Sequence, residues 1–186
     1  GEHEHVAGAP DLDTYWSNIV SKVGYSATDD NVQSEIAQLR ASKAGILMLF
    51  ATPKFVIQAY QYVNGLGWKP KIFVNAVSSA SNVMVLSSSR GQNKRVEGSI
   101  SIVFLKDPND PKWKKDPAVL LYRKIMKRYN RSGNVKDVYN LYGMSAAFTF
   151  VDALKHAGKN PTRASLMRAA THLNERNNPF VLPGMT

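Results

Sequence analysis

LMLFATPKFVIQAY, residues 47–60, changes character at its centre. Leu47, Met48, Leu49 and Phe50 form a short apolar run. Ala51, Thr52, Pro53 and Lys54 interrupt it, and Val56, Ala59, Tyr60 and Val63 then recur at helical spacing. A buried strand running straight into a helix puts the joining turn at the carboxyl end of a sheet. Such ends are where open α/β sheets take their ligands. Pro53 suits the first turn of the helix, which has no use for the missing N–H.

Outward from this stretch the same alternation continues. Towards the amino terminus, Ile19–Tyr25 partly alternates and reads as a strand. Thr28, Asp29 and Asp30 offer helix-capping oxygens, and Val32, Ile36, Leu39 and Lys43 follow at helical spacing. Gly45 is read as the end of that helix, and Ile46–Phe50 as a fully buried strand. Towards the carboxyl terminus, Gly65 and Gly67 close the Pro53 helix. Ile72–Val74 make a strand ending at Asn75, a short helix is read near Asn82–Leu86, and Gly98–Leu105 is the next strand.

The turn-rich DPNDP, residues 107–111, leads to a helix over about 117–129, with Leu121, Tyr122, Ile125 and Tyr129 as its apolar stripe. A long helix spans Val138–Ala157, with Leu141, Tyr142, Ser145, Phe148, Thr149 and Asp152 on one stripe, and Gly158 stops it. A last helix covers Pro161–Leu173, and Pro179–Leu182 reads as an edge strand. Strands alternating with helices imply an α/β fold: a mainly parallel sheet sandwiched by helices. Residues 1–13 read as a disordered or added lead. Its Glu2, His3, Glu4 and His5 are at most a weak chelator. Residues 14–186 read as a single α/β ligand-binding lobe.

Composition narrows the function. The chain has 186 residues and no cysteine, which excludes disulfides and thiolate chemistry. The net charge of +10 favours anionic partners. The densest basic segment, Lys112–Arg131, reads as the solvated face of an amphipathic helix, and no zinc-finger spacing, RNP-like strand or phosphate loop points to nucleic acid. The longest apolar run, Gly45–Ala51, is too short to span a bilayer, and no basic-then-apolar leader is visible.

Catalysis needs a nucleophile with a base, paired carboxylates or a metal cluster. His156 and His172 read as surface residues near helix ends, and no G-x-S-x-G elbow is present. The sequence therefore reads as a binding protein and not an enzyme, with no cofactor implied. The strand ends offer the Thr52 hydroxyl, the Lys54 ammonium, the Asn75 amide, and the Ser78 and Ser79 hydroxyls.

Read in order, SEIAQLRASKAGILMLFATPKFVIQAYQYVNGLGWKPKIFVNAVSSAS, GSISIVFLKDPNDPKW, VYNLYGMSAAFTFVDALKHAG, LMRAATHL and LPGM resemble the carboxyl-terminal lobe of branched-chain-amino-acid-type substrate-binding proteins of ABC transporters, the type I periplasmic binding proteins. The resemblance covers roughly residues 19–186. It implies a periplasmic receptor that takes a small organic solute, a branched-chain or hydrophobic amino acid or an organic acid, in a cleft between two lobes and delivers it to a membrane permease, without chemistry on the ligand. It implies ligand-lining roles for Thr52, Pro53, Lys54 and Phe55 in the first loop, for Asn75, Ala76 and Val77 in the second, and for Tyr139 and Tyr142 as an aromatic wall. A ligand-sensing regulatory domain on the same fold is the alternative.

Two departures matter. Amino-acid-binding members carry an acid in the second loop, and here no Asp or Glu lies between Lys54 and Ser89. A buried ammonium without a partner is costly, which favours an aromatic or aliphatic carboxylate over a simple α-amino acid. The amino-terminal lobe of the family, and the strand and helix that precede Ile19 there, have no counterpart in this sequence. A half-cleft of this kind is expected to favour homo-oligomers.

Overall fold

The computed structural model describes residues 17–185; the readings of the 1–13 lead, with Glu2, His3, Glu4 and His5, lie outside the described residues. The chain divides into two compact units. One runs up to Ser79 and includes Val83–Ser101; the other combines Ala80–Asn82 with Ile102 onward.

The first unit is a three-stranded parallel sheet with helices. Helix α1 spans Gln33–Ala41, strand β1 Ile46–Leu49, helix α2 Pro53–Gly65, strand β2 Lys71–Val74 and strand β3 Ile100–Ser101; helix α3, Ser81–Ser87, belongs to this unit from Val83 on. The order is β1-β2-β3, with Leu47 opposite Ile72 and Leu49 opposite Val74. The expected fold class, a parallel α/β sheet flanked by helices, is therefore the observed one. Pro53 sits at the start of α2, and the Thr52 carbonyl accepts the Phe55 and Val56 N–H groups at 3.0 and 3.1 Å. Gly67 at φ 64° then reverses the chain while Trp68 N–H bonds back to Val63 O at 3.1 Å, which closes the helix. Phe55, Val56, Ala59, Tyr60 and Val63 of α2 and Ile36 of α1 bury against Leu47, Leu49, Ile72 and Val74 of the sheet. Each large aliphatic or aromatic side chain so buried is worth about 1.5–3 kcal/mol before the entropy of ordering it.

Several local expectations are corrected. β1 is not fully buried: its burial alternates, with Ile46 57% and Met48 56% exposed while Leu47 and Leu49 are inside. Phe50, placed in that strand, lies beyond it at 72% exposure. Ile19–Tyr25 forms no strand, because a strand exists only where a neighbour takes up its ladder bonds; the segment keeps only the alternation, with Ser21, Val23 and Tyr25 half-buried. Helix α1 stops at Ala41 and turns through Lys43 at φ 59°, not at Gly45. Its first turn takes no side-chain cap from residues 28–30; Asn31 Oδ1 accepts Gln33 N–H at 3.0 Å instead. The strand expected over Gly98–Leu105 pairs only at Ile100–Ser101.

The second unit is mainly helical. Helix α4 spans Pro117–Tyr129, α5 Val138–His156 and α6 Arg163–Thr171. The edge strand expected near Pro179–Leu182 is a single antiparallel bridge, Leu105 with Val181, flanked by Lys106 N–H to Phe180 O at 3.0 Å and Leu182 N–H to Phe104 O at 2.8 Å. Each helix carries a side-chain N-cap. Asp116 accepts Ala118 and Val119 N–H, Asp137 accepts Tyr139 N–H, and Thr162 forms a reciprocal capping box with Ser165. The core joins Leu105, Ala118, Tyr122, Met126, Leu141 and Phe180. The stripe of α4 is therefore Ala118, Val119, Tyr122 and Met126; Leu121 and Tyr129, expected inside, are 47% and 73% exposed. Along α5, Leu141 and Ser145 are buried as expected, whereas Tyr142 and Phe148 are exposed.

Candidate functional site

The carboxyl ends of β1 and β2 lie side by side because the two strands are parallel neighbours. Their exit loops are tied to each other by one acceptor. The Ala51 carbonyl takes Asn75 Nδ2–H at 3.2 Å and the Ser78 hydroxyl at 2.5 Å. Asn75 Oδ1 in turn accepts Ser78 N–H at 3.1 Å, and Asn75 N–H bonds Leu49 O at 3.1 Å. Ser78 is fully buried. Both ends of the Asn75 side chain thus hold the loops in place, which the sequence could not distinguish from a group offered to a solute.

The first loop meets solvent through Thr52 and Lys54. The Thr52 hydroxyl makes no cap bond to α2, although the residue stands at the capping position. Its N–H bonds the Tyr25 hydroxyl at 2.9 Å. Lys54 Nζ donates to the Asp29 carbonyl at 2.9 Å and stands 4.7 Å from the centre of the Phe55 ring. The Phe55 side chain is a core group, 2% exposed, with its ring 4.6 Å from that of Tyr25. Pro53 contributes the helix start. In the second loop Ala76 is half-buried and Val77 is 56% exposed on a short 3-10 turn, Ala76–Ser79.

The structure therefore brings Thr52, Lys54, Asn75, Ala76 and Val77 to one end of the sheet. Sequence reasoning missed two neighbours there. Tyr25 supplies the hydroxyl that receives Thr52 N–H; its position at the end of the alternating 19–25 segment was the available signal. Phe50 presents an exposed ring where β1 ends, hidden from the sequence by its place in an unbroken apolar run. The turn before α1 also delivers backbone oxygens to α2, with Gln58 Nε2–H bonding Asp30 O at 3.1 Å beside the Lys54 contact. The Asp29 carboxylate is engaged by Ser26 N–H.

Tyr139 and Tyr142 belong to the second unit, one turn apart near the start of α5. Tyr139 is 36% exposed, and burial followed by the Asp137 carboxylate holds its hydroxyl above the ordinary tyrosine range. Tyr142 is 53% exposed and packs edge-to-face on Phe104 at 6.1 Å. The pair is a partly open aromatic surface at the edge of the second core. Lys112, Lys114, Lys115, Lys124, Lys127, Arg128 and Arg131 are exposed, as a solvated basic face requires.

No cluster of three or more His, Cys, Asp or Glu that could hold a metal occurs among the described residues. No helix among them is long and apolar enough to cross a membrane. A family model described as periplasmic binding protein matches residues 8–186. Neither the curated proteins nor the solved structures yield a match to the chain.

Proposed function

The chain belongs to the periplasmic binding protein family, and we propose that it takes a small aromatic or aliphatic carboxylate at the carboxyl ends of β1 and β2 for delivery to the permease of an ABC transporter. Membership carries a solute-binding role linked to transport, an extracytoplasmic location, and two kinds of partner: a small-molecule ligand and a membrane transporter component. The family is typically non-enzymatic, in line with the sequence reading.

The observation that carries the ligand class is the charge of the strand ends. Lys54 stands in the first turn of the 13-residue helix α2, whose amino end attracts an anion. The loops 51–54 and 75–79 contain no acidic side chain to pair with an ammonium. Thr52 and backbone groups of the two loops would orient the carboxylate, and Phe50 and Val77 would meet its apolar body. In the second unit, Tyr139 and Tyr142 offer an aromatic surface to the same class of solute. We also propose that a second copy of the chain covers the open strand ends, making a homo-oligomer.

Titration calorimetry with benzoate and with leucine tests the ligand class. Benzoate is expected to bind and leucine to bind at least tenfold more weakly, and Lys54→Ala is expected to weaken benzoate by about tenfold. Tight leucine binding would overturn the carboxylate reading. Native mass spectrometry of the same samples reports the subunit number, and a monomer would remove the oligomer.

A further inference from the structure

The two histidines that the binding function leaves unused, His156 and His172, line one cavity of about 260 Å³ in the second unit, together with Ala169, Leu173 and Asn174. They reach it by the same local device. His156 is the last residue of α5, and His172 caps the carboxyl end of α6. His156 Nδ1 lies 2.9 Å from the Asp152 carbonyl, and His172 Nδ1 lies 2.9 Å from the Arg168 carbonyl. Each contact reaches back four residues. A carbonyl can only accept, so these contacts favour the neutral tautomer with the proton on Nδ1 and the lone pair on Nε2; the Thr171 hydroxyl, 3.1 Å from His172 Nδ1, fits it by giving its own proton to the Met167 or Arg168 carbonyl.

That is the tautomer a metal ion selects. A metal-bound imidazole ordinarily gives its other N–H to a carbonyl or carboxylate, which fixes the ring and raises the basicity of the ligating nitrogen. The Asp152 carboxylate lies near the first ring, Oδ1 3.8 Å from His156 Nδ1, beyond hydrogen-bond reach. The carboxyl ends of two helices carry partial negative charge, which favours a cation over an anion at this spot. Lys155, next to His156, and Arg168, four residues before His172, are cationic and act against it. No third His, Cys, Asp or Glu completes the set among the described residues, so water would have to supply the remaining ligands of a bound ion.

We propose that His156 and His172 form a two-histidine site for a borderline-soft divalent ion of the zinc type, ligated through both Nε2 atoms. The site is separate from the strand ends and stands whether or not the carboxylate reading holds. Its test uses the full chain with His3→Ala and His5→Ala, which removes the other histidines. Zn²⁺ titrated into this background is expected to bind at one ion per chain. His156→Ala and His172→Ala should each weaken it at least tenfold. Long-range ¹H–¹⁵N spectra should show both Nε2 resonances moving on Zn²⁺ addition while Nδ1 stays protonated. No saturable binding in the background, undiminished binding in either single variant, or unmoved Nε2 resonances would overturn the site.

Discussion

The two units reach stability by different routes. In the first, one sheet and one helix bury a continuous set of large side chains: Val56, Tyr60 and Val63 of α2 are wholly inaccessible. Its buried polar residues, Ser78, Ser87 and Asn93, lie in loops or at a helix end around that core. In the second, the core is smaller, and polar staples fix where the helices begin. Asp116 caps α4 and also pairs with Lys106 at 2.9 Å, with side chains only 16% and 12% exposed. Asn109 Nδ2 bonds the Lys136 carbonyl at 2.7 Å, and Arg123 donates to the Pro108 carbonyl at 2.8 Å. The lesson is that one chain can combine a unit set by area buried with a unit set by bonds placed. Substitutions of the two kinds should separate them.

The largest effect is expected from Phe55→Ala. It removes a buried ring from the first core and should cost about 4 kcal/mol in denaturant unfolding. Hydrogen exchange should localise the loss to α2 and β1; an equal loss of protection along α4 would break the distinction.

Asp116→Asn comes next, at about 3 kcal/mol, because it keeps an amide able to cap α4 but leaves the Lys106 ammonium without its counter-charge. This effect carries a pH signature. Burial pushes the Asp116 carboxyl up, but the Lys106 hydrogen bond, the Val119 and Ala118 N–H groups and the Lys106 charge outweigh it, so it titrates below the ordinary 3.8. A depressed carboxyl contributes stability that is present above its unfolded value. That stability is lost as pH falls from there through the folded value. Unfolding followed between neutral pH and pH 2 should converge for the natural chain and Asp116→Asn; parallel curves would refute the assignment.

The smallest is Asn75→Ala, at about 2 kcal/mol. It strips one donor from the Ala51 carbonyl and leaves Ser78 N–H without its side-chain acceptor. It should loosen the strand-end loops in hydrogen exchange while protection in α4 and α5 stays unchanged.

The same contrast explains what was legible in the sequence. Helix α2 was legible because Pro53 marks its start and its apolar spacing leaves no competing period. The parallel α/β class and the family were legible for a related reason: alternating elements keep their order and spacing. The half-open character of β1 was not. All four of its residues are apolar, so the run cannot reveal which face meets a helix. The stripe of α4 was displaced because small Ala118 and flexible Met126 pack inside where Leu121 looked the stronger candidate. Ile19–Tyr25 failed for want of a partner, which no local pattern encodes. Among candidate ligand residues, Thr52, Lys54 and Val77 are exposed as a site needs. Asn75 and Phe55 spend their side chains on the scaffold, because an amide or a ring reads the same in sequence whether it faces a solute or a neighbouring loop.

The Ala51 carbonyl has a mechanical consequence. Since Asn75 and Ser78 both hold on to it, the two strand-end loops form a single jaw plate rather than two independent fingers. Such a plate does not mould itself to a visitor. On the proposed reading of the strand ends, preference among solutes comes from the few side chains that project from its surface, so exchanging Thr52, Lys54 or Val77 is expected to re-tune selectivity while the plate beneath keeps its shape.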